Sequence, residues 1–208
     1  MRPGAAVSCG IAVTTVSLFG QKASILGSKP MHRIKAYMAG PDVFLQNAQE
    51  KADEMRALCK PYGVDPLIPA DNDPADGASS ALSEEALSLQ IFRKNVALID
   101  RAELVFANLE PFRGPSADVG TVWEIGYAFS QGKKIFAYSS ALSQYLTRVS
   151  PKTSAKGESW IDQEGMIVEN FGLFDNLMIH HSLSGLYPDL PSLLSSKEVQ
   201  ACLERYRN

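Results

Sequence analysis

The sequence predicts a single α/β domain on a flavodoxin-like, doubly wound parallel sheet of five strands, and three observations carry that expectation. From residue 31 onward, short apolar runs alternate with longer stretches of helical period, the pattern of successive βαβ units. Turn-forming residues punctuate the ends of those runs, as at Gly40-Pro41 and in the Pro/Gly-bearing stretch from Glu110 to Pro115. The length, 208 residues with 45% hydrophobic content, supports one substantial core.

Each element has its own warrant. Ile34 to Ala39 reads as a first strand, stopped by Gly40-Pro41. An amphipathic helix follows over 46–62, with Ala52, Met55, Leu58 and Cys59 on one face, then a short strand over 64–68. Residues 69–80 are rich in Asp, Pro, Gly and Ser and read as a long loop. A second helix is expected over 82–101, a buried strand over 103–109, and a helix capped by Asp118 whose core stripe is Val122, Ile125 and Phe129. A fourth strand follows over 134–138, a short helix within 141–149 and a polar excursion over 150–158. Residues 171–179 are expected to lead into the fifth strand, and 195–206 to close the chain as a helix. In this topology the first and third strands are central neighbours, so the loops after them converge on one crevice at the carboxyl edge of the sheet. Tyr37, Asp42, Asp118 and Glu124 are thereby expected near one another.

Residues 1–30 differ in character from the rest, being rich in Gly, Ser, Ala and Val with a weakly apolar run. They are read as a disordered or loosely packed N-terminal extension preceding a domain over 31–208, with a targeting peptide as the alternative. No run is apolar enough for a spanning helix, and Lys and Arg are scattered in a chain of net charge −3, so neither membrane nor nucleic acid is an expected partner. Three distant cysteines and three histidines without ligand spacing argue against a disulfide framework and a zinc site, and point to the cytoplasm. The chain has no G-x-G-x-x-G after its first strand and no phosphate-binding G-x-x-x-x-G-K-[ST], so no dinucleotide, metal or other cofactor is expected.

The chemistry centres on Asp118 and Glu124. One turn away from Glu124 lie Gly120, Thr121, Tyr127 and Ala128, none of them a cation. On spacing alone two readings stand. Asp118 is only a cap and Glu124 a solvated glutamate, or the two carboxylates face a ligand in the crevice.

Several segments, taken in order, resemble the nucleoside 2-deoxyribosyltransferase family: Tyr37-Met38-Ala39-Gly40-Pro41-Asp42-Val43-Phe44, the run from Pro66 to Asn72, and Ile91-Phe92-Arg93-Lys94-Asn95. The same holds for the run from Pro111 to Thr121, Glu124-Ile125-Gly126-Tyr127-Ala128, Glu169-Asn170-Phe171-Gly172-Leu173 and Asp175-Asn176-Leu177-Met178. The resemblance implies an enzyme that exchanges the base of a 2′-deoxynucleoside for a free purine or pyrimidine. Glu124 is the implied nucleophile, Tyr37 its orienting hydroxyl, and Asp118 a contact to the sugar or base. Asp42, Phe44, Asn95 and Gly120 are the implied substrate-binding positions. Asn176 and Met178 join them from a neighbouring subunit, in a homodimer or larger homo-oligomer with shared sites. The chain departs from some members by carrying Asn95 where they have an aspartate; an amide hydrogen-bonds a base edge but delivers no titrating proton. Arg113 either clamps the ligand or anchors its own loop. Hydrolysis of nucleosides or nucleoside 5′-monophosphates on the same scaffold is the alternative activity, and a non-catalytic nucleotide-sensing domain a second alternative.

Overall fold

A computed structural model describes residues 32–69, 82–149 and 159–207, together with the backbone of 154–156. The expected loop over 69–80 lies almost wholly outside the described residues, as do the N-terminal extension and Asp71-Asn72 of the family-like segments.

Five parallel strands form the main sheet: β1 (Ile34–Ala39), β2 (Val64–Leu67), β3 (Leu104–Asn108), β4 (Lys134–Tyr138) and, last in the chain, β8 (Gly185–Tyr187), in the order β2-β1-β3-β4-β8. The chain leaves β1 toward one edge and returns at β3 to build toward the other, so the order reverses between β1 and β3. Ligands of open α/β sheets sit at that reversal.

Both faces of the sheet are buried. Along β1, Ile34, Ala36 and Met38 point into one core with α1 (Ala48–Cys59), α6 (Leu190–Ser195) and α7 (Lys197–Arg207). Tyr37 and Ala39 point into the other core, shared with α2 (Glu84–Arg101), α3 (Val119–Ser130) and α5 (Leu177–Ser182). Strands 3 and 4 alternate in the same way: Phe106 and Phe136 lie on the first face, Val105 and Ile135 on the second. The period of two therefore puts the Tyr37 side chain beneath α3.

Several expectations are corrected. Phe129 is 56% exposed, and α3 rests on the sheet through Thr121, Ile125 and Ala128, whose small flanking side chains let the helix approach closely. Residues 171–179 do not run straight into the fifth strand, because Leu177–Ser182 forms α5 first, its amino end capped by Asn176. The polar excursion contains β5 (Ser154–Lys156), which pairs antiparallel with β6 (Ser159–Ile161), itself paired to β7 (Ile167–Val168), as a separate three-stranded sheet. The short helix within 141–149 is α4 (Tyr145–Val149), and α6 was not anticipated. Among the described residues no helix is long and apolar enough to cross a membrane.

The carboxyl ends of β1 and β3 come together without spare room. A methyl group added at Gly40 would lie 2.7 Å from Cβ of Asn108, well inside contact distance. Gly40→Ala is therefore expected to lower stability by about 1–3 kcal/mol through overpacking. Gly126→Ala, where nothing lies within 4 Å inside a helix, should be neutral or mildly stabilising. Urea unfolding of the two variants measures the contrast, and equal effects would refute the close approach.

Candidate active site

Two loops leave the reversal point. The first carries the short 3-10 turn Pro41–Phe44, and the second runs from Leu109 to Asp118. They are joined twice. Asn108 Nδ2 donates to Asp42 Oδ2 at 2.8 Å. The ring of Phe44 stacks on that of Phe112 with centroids 5.2 Å apart, and the Arg113 guanidinium lies over both rings, 5.3 and 4.6 Å from their centroids. Arg113 thus serves as the anchor of its loop. Its φ of 55° is in the left-handed region, a conformation of modest cost for a non-glycine residue that such a stack can hold.

The far end of the second loop is fixed by a buried ion pair. Asp175, 1% exposed, accepts from Ser116 Oγ at 2.5 Å and from Arg148 Nη2 at 3.1 Å. Arg148 also donates to the carbonyls of Pro115, Ala141 and Ser143 and sits over Phe174. Sequence reasoning missed this cluster, since two residues 27 apart carry no pairing signal.

Asp118 then caps α3, its Oδ2 accepting from the Thr121 backbone N–H at 2.9 Å and from Thr121 Oγ1 at 3.1 Å. Six residues further on, Glu124 lines the same cleft. Its Oε1 accepts a hydrogen bond from the Tyr37 hydroxyl at 2.6 Å, a short, strong contact of the kind made to an ionised acceptor. Tyr37 is fully buried, and burial together with the Glu124 charge pushes its hydroxyl to a higher pKa, so it remains a donor. Burial pushes the Glu124 carboxyl up to about 7; the Tyr37 hydrogen bond opposes that rise and the Asp118 charge adds to it.

A cleft of about 400 Å³ opens in front of these groups. Asp118, Thr121, Glu124, Gly120, Asn95 and Phe44 contribute to its wall, with Val43 and Ile91 adding apolar surface. Asn95 Oδ1 is buried and has no hydrogen-bond partner among the described residues. Not every candidate residue is brought in. Asp42 accepts from Asn108 and is not part of this wall. Asn176 and Met178 are also absent from the wall. Asn176 donates from Nδ2 to Glu169 and caps α5, and Met178 is 73% exposed.

The raised pKa of Glu124 ties the site to stability. Below its ordinary value of 4.5 the carboxyl is protonated whether the chain is folded or not. As the pH rises toward 7 the unfolded chain releases that proton while the folded protein keeps it, so stability falls and the loss is complete above about 7. At about 1.4 kcal/mol per pH unit the loss amounts to about 3 kcal/mol at most. Glu124→Gln should accordingly be more stable than the parent at pH 8 and no more stable at pH 4.5, as followed by denaturant unfolding across that range. A difference independent of pH would contradict the raised pKa.

Known proteins are similar to this chain in sequence and fold. Residues 36–178 match the family model described as nucleoside 2-deoxyribosyltransferase. The chain is 31% identical over 172 residues to the uncharacterized protein C191.05c of Schizosaccharomyces pombe, covering 76% of this chain and 80% of that one. Among solved structures, a 2-desoxiribosyltransferase from Leishmania mexicana superposes with a TM-score of 0.57 at 31% identity, covering 83% of this chain and 99% of the other. The 2-deoxyribosyltransferase of Bacillus psychrosaccharolyticus, 20% identical, shares the fold with a TM-score of 0.52 over 81% of this chain and 95% of its own. The cleft at the β1/β3 reversal, with its phenol-bound carboxylate, is therefore that of a chain belonging to the nucleoside 2-deoxyribosyltransferase family.

Proposed function

We propose that the protein exchanges the base of 2′-deoxynucleosides by double displacement. The observation that carries this reading is the 2.6 Å hydrogen bond from Tyr37 to a Glu124 carboxylate that lines the cleft without a cationic partner among the described residues. A carboxylate oxygen of Glu124 attacks C1′ of the deoxyribose while the C1′–N bond breaks and its electron pair leaves with the base. A ring nitrogen of a second base then attacks C1′, and the C1′–O bond to Glu124 breaks to restore the carboxylate. Tyr37 orients the nucleophile and stabilises its charge, Asp118 contacts the sugar or the departing base, and Asn95 and Phe44 bind the base.

The reading extends to the assembly. Asn176 and Met178 are proposed to reach the cleft of a neighbouring subunit. This is supported by the exposure of Met178 and of a patch on α2 and α3, where Phe92 is 49%, Trp123 48% and Val119 84% exposed.

Deoxyinosine incubated with adenine or cytosine, with products separated by chromatography, tests the reaction. A new deoxynucleoside is expected; free sugar and base alone would mean hydrolysis. Glu124→Ala should abolish exchange with the fold intact. In the parent, kcat/KM should rise with pH through an apparent pKa near 7 as Glu124 ionises. Tyr37→Phe should move that limb to higher pH, because the lost hydrogen bond holds the pKa down. An unmoved limb would separate Tyr37 from the nucleophile.

For the shared site, Asn176→Ala and Glu124→Ala proteins mixed under subunit exchange should regain part of the activity, since one hybrid site is then intact. No recovery after demonstrated exchange would mean that each site is built from one chain.

A further inference from the structure

We infer that Thr121 is a positioning residue, whose hydroxyl fixes the Asp118 carboxylate so that Oδ1 alone is offered to the substrate. The inference rests on the proposed role of Asp118 at the cleft. A helix cap needs only a backbone N–H, and Asp118 Oδ2 already has that of Thr121 at 2.9 Å. The Thr121 hydroxyl adds a second donor to the same oxygen at 3.1 Å. Gly120 leaves room for the carboxylate in this position: a methyl group added there would lie 3.0 Å from the same oxygen.

The backbone around Asp118 is fixed independently. Upstream, Ser116 is tied to the buried Asp175, and Phe112 N–H donates to the Ser116 carbonyl. Downstream, Val122 N–H donates to the Asp118 carbonyl and begins the helix. The freedom left to Asp118 is rotation of its carboxylate about the side-chain bonds. The Thr121 hydroxyl removes it.

Burial argues that this hydroxyl has a purpose beyond packing. Thr121 is 1% exposed, and Asp118 is the partner its hydroxyl finds among the described residues. Valine has nearly the same shape and keeps the backbone N–H, so capping and packing alone would be served by it without the cost of burying a hydroxyl. A second donor on Oδ2 leaves Oδ1 as the oxygen free to meet a sugar or base, with one orientation in place of two. Loss of such orientation typically costs about tenfold to a hundredfold in rate.

Thr121→Val and Thr121→Ser test the assignment in the base-exchange assay and by crystallography. For the valine variant, kcat is expected to fall at least about tenfold with KM nearly unchanged and the thermal midpoint within a few degrees of the parent. Serine, which keeps the hydroxyl, should recover most of kcat. A crystal structure of the valine variant should show the Asp118 carboxylate rotated or in two orientations. Parent-like kcat in the valine variant, or equal loss in both variants, overturns the assignment. A carboxylate unmoved in the valine crystal overturns it whether or not the parent exchanges bases, so failure of the transferase reading and failure of this one are read separately.

Discussion

The hydrogen bond between Tyr37 and Glu124 concentrates the main constraint on this molecule. A carboxylate lies against the sheet with no cation beside it among the described residues, and its partner there is a phenol that reaches it from a central strand. That contact exists only because β1 alternates strictly, because α3 lies across the Tyr37 face, and because β1 and β3 are neighbours. A shift of one residue in the register of β1 would turn Tyr37 to the opposite core and leave Glu124 without a donor. Much of the surrounding structure holds this geometry: Gly40 permits the strand ends to meet, and the Asp175–Arg148 pair fixes the loop that delivers α3.

The cost of the arrangement is carried elsewhere in the fold. A carboxyl with a pKa of about 7 weakens the folded state at neutral pH, and the left-handed backbone at Arg113 adds a smaller strain. Both sit within the loops and helix that form the cleft. The two apolar cores, continuous over either face of the sheet, supply the stability against which these local costs are set.

The central part of the fold was legible because its signals are local and strong. Four of the sheet's strands are apolar runs bounded by turns, and the Asp118 cap follows from an aspartate placed directly before an apolar helical run. The Phe129 expectation failed for a physical reason. In α3 the stripes Val122/Ile125/Phe129 and Thr121/Ile125/Ala128 share a period, and only the position of the sheet decides between them. The short helix α6 was hidden by Pro191, which reads as a breaker but is harmless in a first turn beside the Asp189 cap. The β5–β7 sheet has strands of two or three residues, too short to declare a period. The ion pair of Arg148 with Asp175 and the burial of Asn95 Oδ1 are tertiary facts with no trace in local pattern. The family-like segments identified where the carboxylates lie, but they gave no indication that Asp42 turns away toward Asn108 or that Asn176 is engaged within its own chain.

The aromatic sandwich at the cleft has a mechanical consequence. Phe44 belongs to the loop after β1 and Phe112 and Arg113 to the loop after β3, so the two lips are clasped to each other across the reversal point. Neither lip can swing outward alone without separating stacked rings and uncovering a cation. The two loops are therefore coupled, so that a displacement of one either carries the other with it or breaks the stack.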